Sequence, residues 1–107
     1  MDEVFRALAD RTRRKILDRL FETDGLTLGE LCEGQSMSRQ AVSKHLSILE
    51  QAGLVAVVWQ GREKRHFLNP VPVQEISDRW IAKYARGRAR AISRLRAALE
   101  EEPDEQF

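Results

Sequence analysis

A chain of 107 residues, 42% hydrophobic and 33% charged, has room for one globular domain with a modest core, and gains from oligomerisation. Its net charge of +1 hides a segregation: residues 1–35 carry six bases against eight acids, residues 36–66 five against two, and residues 79–96 seven against none. A near-neutral total therefore leaves nucleic acid open as a partner, while the single cysteine excludes an intrachain disulfide framework and no apolar run fits a signal peptide or membrane span.

Val4, Phe5, Leu8 and Ala9 form a short apolar stripe at helical spacing and predict a first helix. Asp10 caps a second helix to about Glu22, with Ile16, Leu17, Leu20 and Phe21 on its inner face and Arg13, Arg14, Asp18 and Arg19 largely outside. Asp24-Gly25 is a turn signal. Thr27 to Glu30 fits a capping box, with Leu26 and Leu31 placed as its staple. The third helix it opens is short, with Leu28, Leu31 and Cys32 facing inward and Gly34 as its stop.

A fourth helix is the best marked. Ser38 is a good N-cap, Met37 and Val42 are spaced for a staple, and Gly53 supplies a left-handed stop after which Leu54 can fold back onto Leu49. Val42, Leu46 and Leu49 make its apolar stripe, widened by Ala41, Ile48 and Ala52. Its first turns expose Arg39, Gln40, Ser43 and Lys44, with no acid among them. Two short helices joined by a tight glycine-containing turn, the second capped and polar at its start, form a helix-turn-helix.

Beyond Gly53 the residues turn β-branched and aromatic from Leu54 to Trp59, reverse at Gln60 to Glu63, and return from Lys64 to Leu68, predicting a two-stranded wing. Asn69 to Pro72 breaks the pattern, and a long helix is expected from about Val73 to Glu100. Its apolar residues fall at seven-residue multiples, as Ile81 with Leu95 and Ala85 with Ile92 and Leu99, and its face is too wide for one small core to absorb. The domain is expected to span residues 1–100, followed by an acidic flexible tail at 101–107. The fold class is mainly α with a small β-hairpin.

The segments ALADRTRRKIL (Ala7–Leu17), SRQAVSKHLSILEQAGLV (Ser38–Val55) and GREKRHFLNP (Gly61–Pro70) together resemble the ArsR/SmtB family of winged helix-turn-helix repressors. The resemblance is collinear over roughly the first two-thirds of the chain, with the long last helix in the expected place. It implies a homodimer joined by the first and last helices, bound to an inverted-repeat operator in double-stranded DNA and repressing transcription. The chain departs from the metal-sensing members. Where their third helix carries an ELCxC thiolate pair, it reads Glu30-Leu31-Cys32-Glu33-Gly34. Its two histidines, His45 and His66, lie in the fourth helix and the wing rather than the last helix. A lone thiol without a nearby imidazole does not complete a tetrahedral zinc site, so the chain is similar to the branch without the classical metal sites, and no cofactor is expected.

Arg39, Gln40, Ser43 and Lys44 would be an ordinary solvated face on most helices. On the first turns of the second helix of a helix-turn-helix they point to DNA: Arg and Lys suit guanine O6/N7 and Gln suits adenine N6/N7, while Ser43 and Lys44 suit phosphates equally. The cap residue Ser38 belongs to the same end. His45 reads equally as a backbone contact or as a polar lid over the core. Arg62, Lys64 and Arg65 at the hairpin tip are either a solubilising cluster or contacts to phosphate and minor groove, weakened slightly by Glu63. The basic run from Arg79 to Arg96 is read as a solvated face and Cys32 as core filler. No constellation supports catalysis. The alternative function is a winged-helix protein-interaction module without specific DNA binding, disfavoured because the fourth helix presents no exposed apolar anchors at its start. Neither the operator nor a small-molecule effector is readable from these residues. The location expected is cytoplasmic, with no membrane partner.

Overall fold

The computed structural model describes residues 1–101; the last six residues, and with them most of the expected tail, lie outside the described part. Two compact units are present, one from Met1 to Val73 and a second from Gln74 on.

The first unit contains α1 (Asp2–Leu8), α2 (Arg11–Glu22), α3 (Leu28–Cys32), α4 (Arg39–Gln51), β1 (Val55–Gln60) and β2 (Glu63–Leu68). The starts of α2, α3 and α4 are capped as their sequences dictate. Asp10 accepts from the Arg13 N–H, Thr27 and Glu30 form a reciprocal capping box, and Ser38 accepts from the Ala41 N–H at 3.1 Å. At the end of α4, Gly53 has φ of 76°, the Leu54 N–H reaches Leu49 O and the Gly53 N–H reaches Glu50 O, both at 3.0 Å. These two bonds are the Schellman pattern, and they turn the chain so that Leu49 and Leu54 are both fully buried. The core around them is drawn from every helix: Ala7, Ile16, Leu20, Leu31, Val42 and Leu46 are all buried.

α2 does more than supply core. Arg13 lies three and four residues ahead of Ile16 and Leu17, on the same face, so its guanidinium points inward rather than out. It donates to the carbonyls of Ala7 at 2.8 Å and Arg6 at 3.0 Å, while Arg14 donates to Leu8 O at 2.7 Å. Arg19 likewise donates to the carbonyls of Leu31, Glu30 and Glu33 at the end of α3. Like every α-helix, α1 and α3 leave their last carbonyls without helical partners, and α2 caps both with charged donors. The expectation that Arg13 and Arg19 stand largely outside is therefore corrected. So is the inner placement of Phe21, which is 78% exposed because it sits at the far edge of an apolar arc that the core fills only as far as Leu17. In α1 the buried positions are Val4 and Ala7, with Phe5 and Ala9 exposed, and Leu28 and Cys32 in α3 are only half-buried.

β1 and β2 pair antiparallel from Val55↔Leu68 to Gln60↔Glu63, so the reversal is a tight turn at Gly61-Arg62. Gly61 has φ of 60°, the left-handed value such a hairpin turn requires. A bridge between Leu26 and His66 fastens β2 to the segment ahead of α3. His66 is buried, and its Nδ1 lies 2.9 Å from Leu26 O, so that nitrogen carries the proton and donates.

A helical run starts at Val71, two residues earlier than expected. Pro72 falls in its first turn, where a missing N–H costs nothing, and the Asn69 side chain accepts from the Val71 N–H at 3.2 Å. It comprises α5 (Val71–Ile76), a π-helical stretch (Ser77–Ile81) and α6 (Ala82–Glu101). Within the second unit, Trp80, Ile81, Tyr84, Ile92 and Leu95 are all more than half exposed. No helix among the described residues is long and apolar enough to cross a membrane.

Candidate nucleic-acid interface

The polar residues of α4 fall into two stripes. Arg39, Ser43 and Ser47 recur every four residues and line one wall of a groove of about 600 Å³, whose opposite wall is the wing, with Trp59, Arg62 and Lys64. Gln40 and Lys44 also stand four apart, roughly a quarter turn round the helix, are exposed and do not line the groove. Ser38, Arg39, Gln40, Ser43 and Lys44 are all exposed, and none of the cations among them has a carboxylate partner among the described residues. Ser47 and Trp59 join the site without having been singled out in the sequence. Ser47 was legible as the continuation of the Arg39–Ser43 spacing, whereas Trp59 depended on which face of β1 turns toward α4.

His45 is placed differently. Arg13 Nη1 lies 3.3 Å from its Nδ1, and since a guanidinium only donates, that nitrogen must be the acceptor. Asp10 Oδ2 lies 3.9 Å from the same atom. His45 is half-buried and tied to the α1–α2 corner through Arg13.

The basic cluster of the wing is also divided. Lys64 Nζ stands 3.5 Å from Glu50 Oε2, so it bridges the wing to the far end of α4. Arg65 donates to Gly25 O at 2.7 Å and to Glu63 at 2.6 Å, with Glu30 Oε1 3.8 Å away. Only Arg62, at the turn, is exposed with no carboxylate partner among the described residues. The neighbouring carboxyls are held in the charged form by the fold itself. Glu30 is lowered from its ordinary value, first by the Thr27 N–H and then by the Thr27 hydroxyl, and Asp10 is lowered chiefly by the Arg13 N–H.

An exposed, cationic and acid-free helix face beside a basic hairpin tip is an arrangement for polyanion contact, with side chains at one stripe suited to base edges. A family model described as a helix-turn-helix domain matches residues 8–58. The chain is 43% identical to the helix-turn-helix-type transcriptional regulator YuzN of Bacillus subtilis over 75% of this chain and 94% of that protein. It is 37% identical to the transcriptional repressor SdpR of the same organism, over 78% and 91%. The solved structure of the ArsR-like transcriptional regulator from Rhodococcus sp. RHA1 superposes with a TM-score of 0.73 at 31% identity, over 94% of this chain and 90% of that one.

The chain belongs to the ArsR/SmtB-type winged helix-turn-helix transcriptional regulators.

It is accordingly a DNA-binding regulator and not an enzyme. α3 and α4 are its helix-turn-helix, and β1 and β2 its wing. No group of three or more His, Cys, Asp or Glu side chains is gathered as a metal site among the described residues.

Proposed function

We propose that this regulator is a homodimeric repressor that binds an inverted-repeat operator, with residues 1–100 working as one DNA-binding and dimerisation domain in the cytoplasm. The reading rests above all on the exposed, unpaired face of α4. Gln40 and Lys44 read base edges in the major groove; Arg39, Ser43 and Arg62 hold phosphates; Ser38 sets the helix start against the backbone. His45, Lys64 and Arg65 support this surface from behind more than they touch DNA. The naming of SdpR as a repressor supports repression as the outcome.

Pairing is supported by the apolar positions Ile81, Tyr84, Ile92 and Leu95, all exposed in a chain otherwise able to bury its leucines and isoleucines. A second copy would cover them and present two α4 helices to successive major grooves about 34 Å apart. Replacing Ile92 and Leu95 together by Asp should give a folded monomer by sedimentation and circular dichroism. Its binding to a duplex selected from a random pool should fall about 100-fold or more, because the second half-site no longer binds intramolecularly. A folded monomer that keeps wild-type affinity would overturn the dimer reading.

A further inference from the structure

We propose that the groove between α4 and the wing seats one sugar–phosphate strand of the duplex, and that Trp59 is a DNA-contacting residue packing on its deoxyribose. The inference rests on the DNA-binding reading above and assigns the groove within it.

Trp59 and Lys64 face each other across the hairpin, and both line the groove opposite α4. Trp59 is left 64% exposed in a unit that leaves no leucine or isoleucine exposed, and a partner covering the ring would remove that apolar surface from water. The polar setting decides what that partner is. Two acids line the groove, and each is already matched: Glu50 by Lys64 at 3.5 Å, and Glu63 by Arg65 at 2.6 Å. Arg39 on one wall and Arg62 on the other have no carboxylate partner among the described residues, with the Ser43 and Ser47 hydroxyls on the α4 wall. The groove is therefore cationic at both rims and apolar at Trp59. That alternation fits a DNA backbone, whose phosphates are separated by apolar sugar faces, better than an acidic peptide, which offers no such repeat. The groove is open to solvent along its rims and does not enclose a small molecule. Arg39 thereby clamps the strand, leaving Gln40 and Lys44 to face the bases.

Trp80 is the only other tryptophan, so Trp80→Phe leaves Trp59 as the sole indole reporter. In that background, titration with a random-sequence duplex and with a duplex selected from a random pool should both change Trp59 emission, in step with binding followed by anisotropy of labelled DNA. Trp59→Ala should weaken both duplexes by a similar factor, about tenfold for the apolar area an indole covers on a sugar, and Trp59→Phe by much less. The slope of log affinity against log salt should stay unchanged in either variant, because no phosphate contact is lost. Unchanged folding by circular dichroism would accompany these losses, since the ring is exposed. If anisotropy reports binding while Trp59 emission stays silent, or if Trp59→Ala binds as the parent does, the groove assignment is overturned and the DNA reading stands. If the parent binds no duplex at any salt, the DNA reading falls and takes this inference with it.

Discussion

The recognition helix and the wing carry similar numbers of bases in sequence, yet the structure uses them in opposite ways. On α4, Arg39 and Lys44 stand free beside Gln40 and Ser43, because the helix contributes no acid until Glu50. On the wing, Lys64 and Arg65 are each drawn to a carboxylate, and Arg65 also to a backbone carbonyl, so that among the described residues only Arg62 of this cluster is left unpaired. The difference teaches that a basic residue counts toward a DNA surface only after the fold's own acceptors have taken their share. A hairpin is a weak element on its own and needs fastening. Here the fastening is done by Arg65 on Gly25, by His66 on Leu26 and by Lys64 on Glu50, at the expense of the charge it can present.

The largest effect is expected at the junction that helix and wing share. Leu54 is fully buried at the Schellman turn that carries α4 into β1, and Leu54→Ala should cost about 2–5 kcal/mol in urea unfolding. Affinity for DNA measured well below the melting temperature should fall with it only if helix and wing must be held in register. Next in size is Gln40→Ala, which should cost about 1–3 kcal/mol on the selected duplex and little on a random one. Equal losses on both would make Gln40 a positioning residue, and the base-reading stripe would reduce to Lys44.

A paired test of the wing separates presented from fastened charge. Arg62→Ala should lower the slope of log affinity against log salt by about one while leaving stability alone. Arg65→Met should do the reverse, losing about 1 kcal/mol of stability with the bond to Gly25 while the salt slope is kept. If both substitutions lower the slope equally, the ion pairs seen here open on DNA and the contrast between the regions disappears. The smallest effect concerns acid. Asp10 and Glu30 are both held below their ordinary values by N–H groups of their own caps. A carboxyl lowered in the native state adds stability that is complete above its unfolded value, near about pH 4, and is lost as pH falls through the native value. Glu30→Gln preserves the capping box without the charge, so it should flatten that acid limb slightly and leave stability at neutral pH nearly unchanged. An acid limb identical to the wild type would show that Glu30 contributes nothing to it.

Local chemistry determined the elements. Ser38, Thr27, Asp10 and Gly53 set helix ends through bonds spanning three to five residues, and Gly61 set the hairpin turn, so these were readable from neighbours alone. The helix-turn-helix, the wing and the long last helix followed from the order of those elements, and the exposed face of α4 from its period. What only the tertiary structure decided was the partner of each charge and the edge of each apolar stripe. Arg13 and Arg19 read as surface residues by type, yet they turn inward because the ends of α1 and α3 leave carbonyls within reach of α2. Phe21 read as core by spacing, yet it lies beyond the arc that the other helices cover. Arg65 and His45 are candidates for DNA contact by position in sequence, yet Arg65 donates to the Gly25 carbonyl 40 residues away and His45 accepts from Arg13, 32 residues away. Hydrogen-bond satisfaction at helix ends and strand edges is settled by whatever lies across the fold, and a linear pattern does not carry that information.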